Sequence, residues 1–355
     1  MWFDRTTTLT IERYNNMALS NVISRPGSNL PAGSDKTELF LKKFAGEVLT
    51  TFETEAMFKD LTTTRTIENG KSAQFPVVGT AVTKYHTAGD SVIEGTNYLN
   101  NMSHVEKVIT IEGLLTSSVL LANIDEAMNH FDVRSIYSTE IGRALAKAFD
   151  KAVAQTIISA ARQANNFGTN GPDGDSGTSD TWTAGNHSVV TASSGTDGAV
   201  LAGAVLAGLR KLDERDVPSD GRYIAVRPAQ YWLLLDALTS GNYKAPYTGN
   251  SGVFENGKVA MIGGATIIKS NNIPSTDLSA DTTIPQQATG GDRRLNYSGT
   301  QAIVFHPAST GCVKLLDVAV ESEYQIERQA TLMVAKYAVG HGVLRPEASY
   351  EVKSA

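Results

Sequence analysis

The sequence predicts an α+β fold, and three observations carry that reading. Residues 132–163 have the composition of one very long helix. Residues 61–115 alternate with the period of strands and are rich in β-branched side chains. Residues 313–353 alternate in the same way, after a segment, 197–312, that mixes helix and strand signals.

Taken in order, residues 1–35 hold Pro26, Gly27, Pro31 and Gly33 and show little periodicity, as an extended arm would. A helical pattern follows the polar Ser34–Asp35 start, with Leu41, Phe44, Ala45, Val48, Leu49 and Phe52 at three- and four-residue spacing. Leu41, Phe44, Val48 and Phe52 would be its packing residues, and something else must cover them. Residues 62–67 and 72–78 flank Asn69-Gly70, which reads as the tight turn of a hairpin. Residues 94–103 are polar and loop-like, and 104–115 read as a return strand. A long ribbon placed between two helices has little core of its own. Isolated ribbons are marginal in water, so this one is expected to lie on a neighbour.

A short helix near 124–130 leads into the long one. Residues 132–163 contain no proline and one glycine, Gly142, with Asp132 as a candidate N-cap and Arg162 complementing the dipole in the last turn. At ~1.5 Å per residue such a helix spans roughly 46 Å. Tyr137, Ile141, Leu145, Ala148, Phe149 and Ala152 share one face, the candidate core of a spine. Arg143, Lys147 and Lys151 share another. That basic ridge is either a solvated face with Glu140 and Asp150 as intrahelical partners or a surface turned toward a polyanion. Residues 165–194, dominated by Gly, Ser, Thr, Asn and Asp, read as a long surface loop or β-excursion. A mixed unit follows, with helices at 197–215 and 228–238, strands at 222–226, around Asn256-Gly257 and at 262–269, and a closing strand at 301–306. The tail is expected to return beside the spine.

The totals narrow the functional classes. With 355 residues, 41% of them hydrophobic and 19% charged, the chain can bury a sizeable core. A net charge of −6 argues against a dedicated nucleic-acid binder and leaves a local basic patch open. The single Cys312 excludes internal disulfides and cysteine-ligated metal centres, and reads as a buried small residue. The first residues carry Asp4 and Arg5 and no apolar h-region, and the longest apolar run, 198–209, is too short and glycine-rich to cross a bilayer. A soluble intracellular product without membrane contact is expected.

No catalytic, cofactor-binding or metal site is predicted. Gly70-Lys71-Ser72 lacks the first glycine of a phosphate loop, since Arg65 stands there. The six histidines are scattered, and neither HExxH nor GxSxG occurs. Residues 168–180 share only composition with a calcium loop.

Several longer stretches are more informative. LFLKKFAGEVLTTF (39–52), NGKSAQFPVVG (69–79), HVEKVITIEGLL (104–115), IDEAMNHFDVRS (124–135) and AKYAVGHGVLRPEA (335–348) resemble, in order, the major capsid proteins of T7-like short-tailed phages. The resemblance fades in 1–35, in 165–194 and across much of 197–300. It implies an HK97-type capsid fold. Residues 1–60 would be the N-terminal arm, 61–115 the extended E-loop with Asn69 and Gly70 at its turn, and 116–195 the peripheral domain with its spine. Residues 196–312 would form the axial domain, and 313–355 would rejoin the peripheral domain. It further implies hexamers and pentamers in an icosahedral shell around double-stranded DNA, a scaffolding protein during assembly, a portal protein at one vertex and a possible decoration protein. The regular spacing of Arg143, Lys147 and Lys151 in an otherwise acidic chain would, in such a shell, place that ridge toward the DNA. An encapsulin-like compartment holding cargo is the alternative with the same fold, and a soluble enzyme is the other class.

Overall fold

Two sheets share one long helix. The computed structural model describes residues 48, 50–52, 55–79, 83, 85–93, 104–124, 128, 133–163, 188–190, 193–240, 261–287 and 291–354. Asp132, Leu41, Phe44, the Asn256-Gly257 pair, residues 1–35 and nearly all of 165–194 lie outside them. In chain order the strands are β1 (Thr63–Thr66), β2 (Ser72–Val78), β3 (His104–Thr110), β4 (Leu115–Ala122), β5 (Ser188–Val190), β6 (Tyr223–Val226), β7 (Met261–Ile262), β8 (Ala265–Lys269), β9 (Thr300–Phe305), β10 (Thr310–Gln325), β11 (Ala330–Val343) and β12 (Ser349–Lys353). The α-helices whose bounds fall among the described residues are α1 (Val133–Arg162), α2 (Gly198–Asp213) and α3 (Pro228–Ser240).

One sheet has the order β1-β10-β11-β4, the other β5-β12-β9-β6-β8-β7, and among the described residues β2 pairs with β3 alone. Strand β9 is buried along its whole length, which suits its near-continuous apolar sequence and its central place between β12 and β6. On one face of this sheet, α2 and α3 enclose a core of Leu201, Val205, Leu209, Leu212, Tyr231 and Leu234 over Ile224, Val304 and Tyr350. Asp197 caps α2 by accepting from the Ala199 and Val200 amides. The tight turn here is Gly263-Gly264, both at positive φ, between β7 and β8.

Helix α1 packs Ile141, Leu145 and Phe149 on Met333, Tyr337 and Val339 of β11, with Tyr137 at the edge of the cluster. From Val153 to Ala161 every residue is buried, Gln155, Thr156 and Ser159 included. The single apolar stripe read from the sequence therefore describes only the first half of the helix. Beyond it the helix is walled by β9, β11 and β12, and its alanines admit that close approach.

Three expectations need correction. The strands beside Asn69-Gly70 do not form a hairpin. Strand β1 runs parallel to β10, Thr63 opposite Gly311 through Thr66 opposite Lys314, and β2 pairs with β3 instead. The side chains of β1 are all exposed and offer no apolar face to match β2, so the chain turns at Gly70 (φ 114°) out of one sheet into the ribbon. The tail is also divided. Strand β12 belongs to the six-stranded sheet, so residues 313–355 do not all rejoin the unit around β10 and β11. Finally, Asp150 is no partner of the basic ridge. It is fully buried, and its carboxylate accepts from the Met57 and Phe58 amides (3.2 and 3.1 Å) and from Asn272 Nδ2 (3.0 Å).

These contacts tie the end of the arm helix to the spine. Val48 and Phe52 are buried against α1, with Phe52 edge-on to Phe149 at 6.0 Å. Gly142 lies beneath them, and a Cβ there would sit 2.9 Å from both Thr51 Cβ and the Val48 carbonyl oxygen. Asp150→Ala should lower the unfolding free energy by on the order of 3 kcal/mol, because two backbone donors lose their acceptor. Asp150→Asn, which keeps one acceptor oxygen, should cost less. Urea unfolding of the purified subunits measures both.

Candidate assembly surfaces

The ribbon is anchored at one end. At its root Ala73 and Ile109 pack with Val313 and Leu344 of the body. Glu112, just past β3, donates its amide to the Val339 carbonyl at 3.1 Å and accepts from the His341 amide at 3.3 Å. Its carboxylate meets the guanidinium of Arg293 at 2.6 Å, and both side chains are largely buried. Burial raises the Glu112 carboxyl above its ordinary value, with Arg293 opposing. Toward the far end the ribbon segment exposes Tyr85, Val92 and Ile93, large apolar side chains with no core to enter.

Other apolar groups stand out on the same subunit. Leu316, Tyr324 and Ile326 are exposed on β10 and the hairpin tip that joins it to β11. Strand β1 covers β10 only at Gly311–Lys314, so among the described residues the edge from Leu316 to Gln325 has no strand beside it. The outer edge of β4 is open in the same sense. Open edges are templates for further strands.

The basic ridge is split. Arg143 is held by Glu55 (3.2 Å) and Glu140 (2.9 Å), all three partly exposed. Lys147 and Lys151 are exposed on α1 and have no ion-pair partner among the described residues. Asn69 and Gly70 lie at the root of the ribbon and not at its tip. Cys312 is buried, and burial pushes its thiol up to about 12, which makes it inert. Among the described residues no cluster of His, Cys, Asp and Glu could hold a metal ion, and no helix is long and apolar enough to cross a membrane.

Comparison with known proteins decides what these surfaces belong to. Residues 74–353 match the family model "Gp10A-like: Major capsid protein". The chain belongs to this family of phage major capsid proteins. It is 33% identical over 340 residues to the major capsid protein of Escherichia phage T7, covering 91% of this chain and 94% of the relative. The capsid structure of the cyanophage P-SCSP1u superposes with a TM-score of 0.69 at 35% identity, covering 84% of this chain and 88% of that one. The mature capsid of bacteriophage PhiM1, at 16% identity and a TM-score of 0.63, shares the fold across 94% of this chain and 92% of its own. This major capsid protein therefore has the HK97-type fold, and shell formation is its function. The compartment and enzyme alternatives are not favoured.

Sequence reasoning missed the residues that seat the ribbon. Gly340-His341-Gly342 inside a strand pattern was the available signal, since strand glycines mark close backbone approach. Glu112 and Arg293, 181 positions apart by number, offered none.

His341 supplies a pH test of this root. Its ring lies edge-on to Phe149 at 5.1 Å, and burial, helped by Arg293, lowers its pKa to about 3. The folded state keeps it neutral while the unfolded chain protonates below about 6.5. Stability is thus lost as pH falls, by about 1.4 kcal/mol per unit between those values. The raised carboxyls of Glu112 and Asp150 act in the opposite sense. His341→Leu should therefore lose about 2 kcal/mol less than wild type between pH 6.5 and 5 in urea unfolding.

Proposed function

We propose that the subunits close an icosahedral shell as hexamers and pentamers around double-stranded DNA, each ribbon lying over an adjacent subunit. The observation that carries this reading is the ribbon itself, which among the described residues pairs only within itself and exposes Tyr85, Val92 and Ile93. The arm, 1–60, ties neighbours together, so that many modest contacts add. Helix α1 with the four-stranded sheet forms the peripheral domain. The six-stranded sheet with α2 and α3 forms the axial domain at the capsomer centre. A scaffolding protein guides assembly in the host cytoplasm, a portal protein occupies one vertex, and a decoration protein is a further possible partner on the finished virion. Lys147 and Lys151 turn toward the packaged DNA, and their attraction to phosphate is independent of sequence and weakened by salt. Arg143 contributes less, because Glu55 and Glu140 neutralise it.

Tyr85→Asp and Ile93→Asp should each leave subunit stability within about 0.5 kcal/mol, as surface changes do. Shells should nevertheless be lost when the variants are expressed with the scaffolding protein and viewed by electron microscopy. Normal shells from both would overturn the overlap of ribbon and neighbour. A Lys147→Glu, Lys151→Glu double variant should form shells of normal diameter that retain less DNA. Unchanged DNA content per particle would remove the inward orientation.

A further inference from the structure

We propose that Gln287 and Arg293 are positioning residues that pin the root of the ribbon to its own subunit, so that the ribbon leaves the body already aimed. The inference rests on the reading that the ribbon overlaps a neighbour, but the contacts that do the pinning lie wholly within one chain.

Strand β3 and the residues just after it cross β10 and β11 over three glycines. A Cβ on Gly340 would meet the Thr110 carbonyl oxygen at 2.3 Å, one on Gly342 would meet Ile109 Cγ1 at 2.6 Å, and one on Gly311 would meet Ile109 Cδ1 at 2.8 Å. At Gly340 the crossing is backbone against backbone, and a side chain there would lift the strand, whereas at Gly342 and Gly311 it would displace the buried Ile109 side chain. The glycines set the depth of the crossing. They do not set its angle.

The angle is held by polar contacts from a segment outside both sheets. The Gln287 amide donates to the Thr110 carbonyl (2.8 Å), and its oxygen accepts from the Thr110 amide (2.9 Å) and hydroxyl (2.6 Å). For this one residue a side chain satisfies the outer edge of β3 as a third strand would. At Glu112, two residues past Thr110, Arg293 grips a carboxylate whose residue is itself bonded to β11. The gripping segment is braced internally. Arg294 donates to the Ile284 and Thr282 carbonyls, Gln286 to Asp292, and Tyr297 to the Arg293 carbonyl. Farther out along the ribbon the side chains of Val78 and His104 are already exposed. Re-aiming the ribbon thus requires either breaking a buried ion pair or bending the strands beyond Val77 and Val105.

The test uses Arg293→Met, Arg293→Lys and Gln287→Leu in the full-length chain, with hydrogen exchange read on unassembled subunits and particles viewed by electron microscopy. Pinning predicts at least tenfold faster exchange in β2 and β3 for Gln287→Leu and Arg293→Met, with β9 and β11 unchanged. Arg293→Lys, which keeps a cation against Glu112, should recover most of the protection. If Arg293→Met fails to fold, Gln287→Leu decides, since it leaves no buried charge behind. Unchanged exchange in β2 and β3, or loosening throughout the subunit, overturns the proposal. Local loosening with malformed particles supports both readings. Local loosening with normal particles supports the pin and overturns the overlap of neighbours.

Discussion

The enclosure of α1 between the two sheets is the contact on which the rest of the subunit depends. A solvent-exposed helix of this length would need only one apolar stripe, yet residues 153–161 are buried on every side. Its far end is fixed by charge. Arg162 forms a two-pronged pair with the fully buried Glu351 of β12, at 2.7 and 2.6 Å, while Thr300 donates to the same carboxylate. Such a pair adds little net stability over an apolar replacement, but breaking one side of it costs about 3–5 kcal/mol. Its consequence is geometric: the helix cannot slide or rotate against the six-stranded sheet without exposing an unpaired carboxylate. With both sheets referred to one rigid rod, the arm helix at Gly142 and the ribbon root take fixed positions as well.

Local elements were legible in the sequence because their signals are local. The long helix was expected at 132–163 and is observed as Val133–Arg162, and Asp197 and Pro228 mark the starts of α2 and α3. What joins those elements was not legible. Strand β1 pairs with residues near 311, and nothing within residues 62–78 distinguishes that partner from β2. Asp150 looked like a member of the surface charge pattern, and its identity as an acceptor for the Met57 and Phe58 amides depends on a chain crossing that no periodicity encodes. Gly142, noted in the sequence only as the one glycine of the helix, is the place where another backbone crosses it. The family was readable from long matching stretches. The residues that position its parts were not, because each acts on a partner far away in sequence.

The polar groups at the ribbon root show the same logic in a harsher setting. Glu112, Arg293 and His341 are placed where an apolar cluster would pack without desolvating charge. An apolar cluster tolerates rotation of one element over another, whereas a hydrogen-bonded ion pair has one satisfied arrangement. A strand crossing seated on bare glycine backbone has depth but no angular preference of its own. The directional groups supply that preference beside the small apolar cluster of Ala73, Ile109, Val313 and Leu344.

The periphery follows the opposite rule. Leu316–Gln325 on β10, the outer edge of β4, and Tyr85, Val92 and Ile93 leave backbone donors or apolar area unmatched within the described subunit. In a protein that functions alone these would be aggregation liabilities. Here they are dispersed over separate elements, so no one of them forms an extensive apolar surface. A contact made through one small site of this kind would be weak and reversible. On the proposed overlap of subunits, one enclosed by several neighbours would use many of them together, and release would then require that they all open at once. Closure of a shell without trapped errors needs that separation: a core rigid enough to present every site in its place, and sites individually too weak to hold a misplaced neighbour.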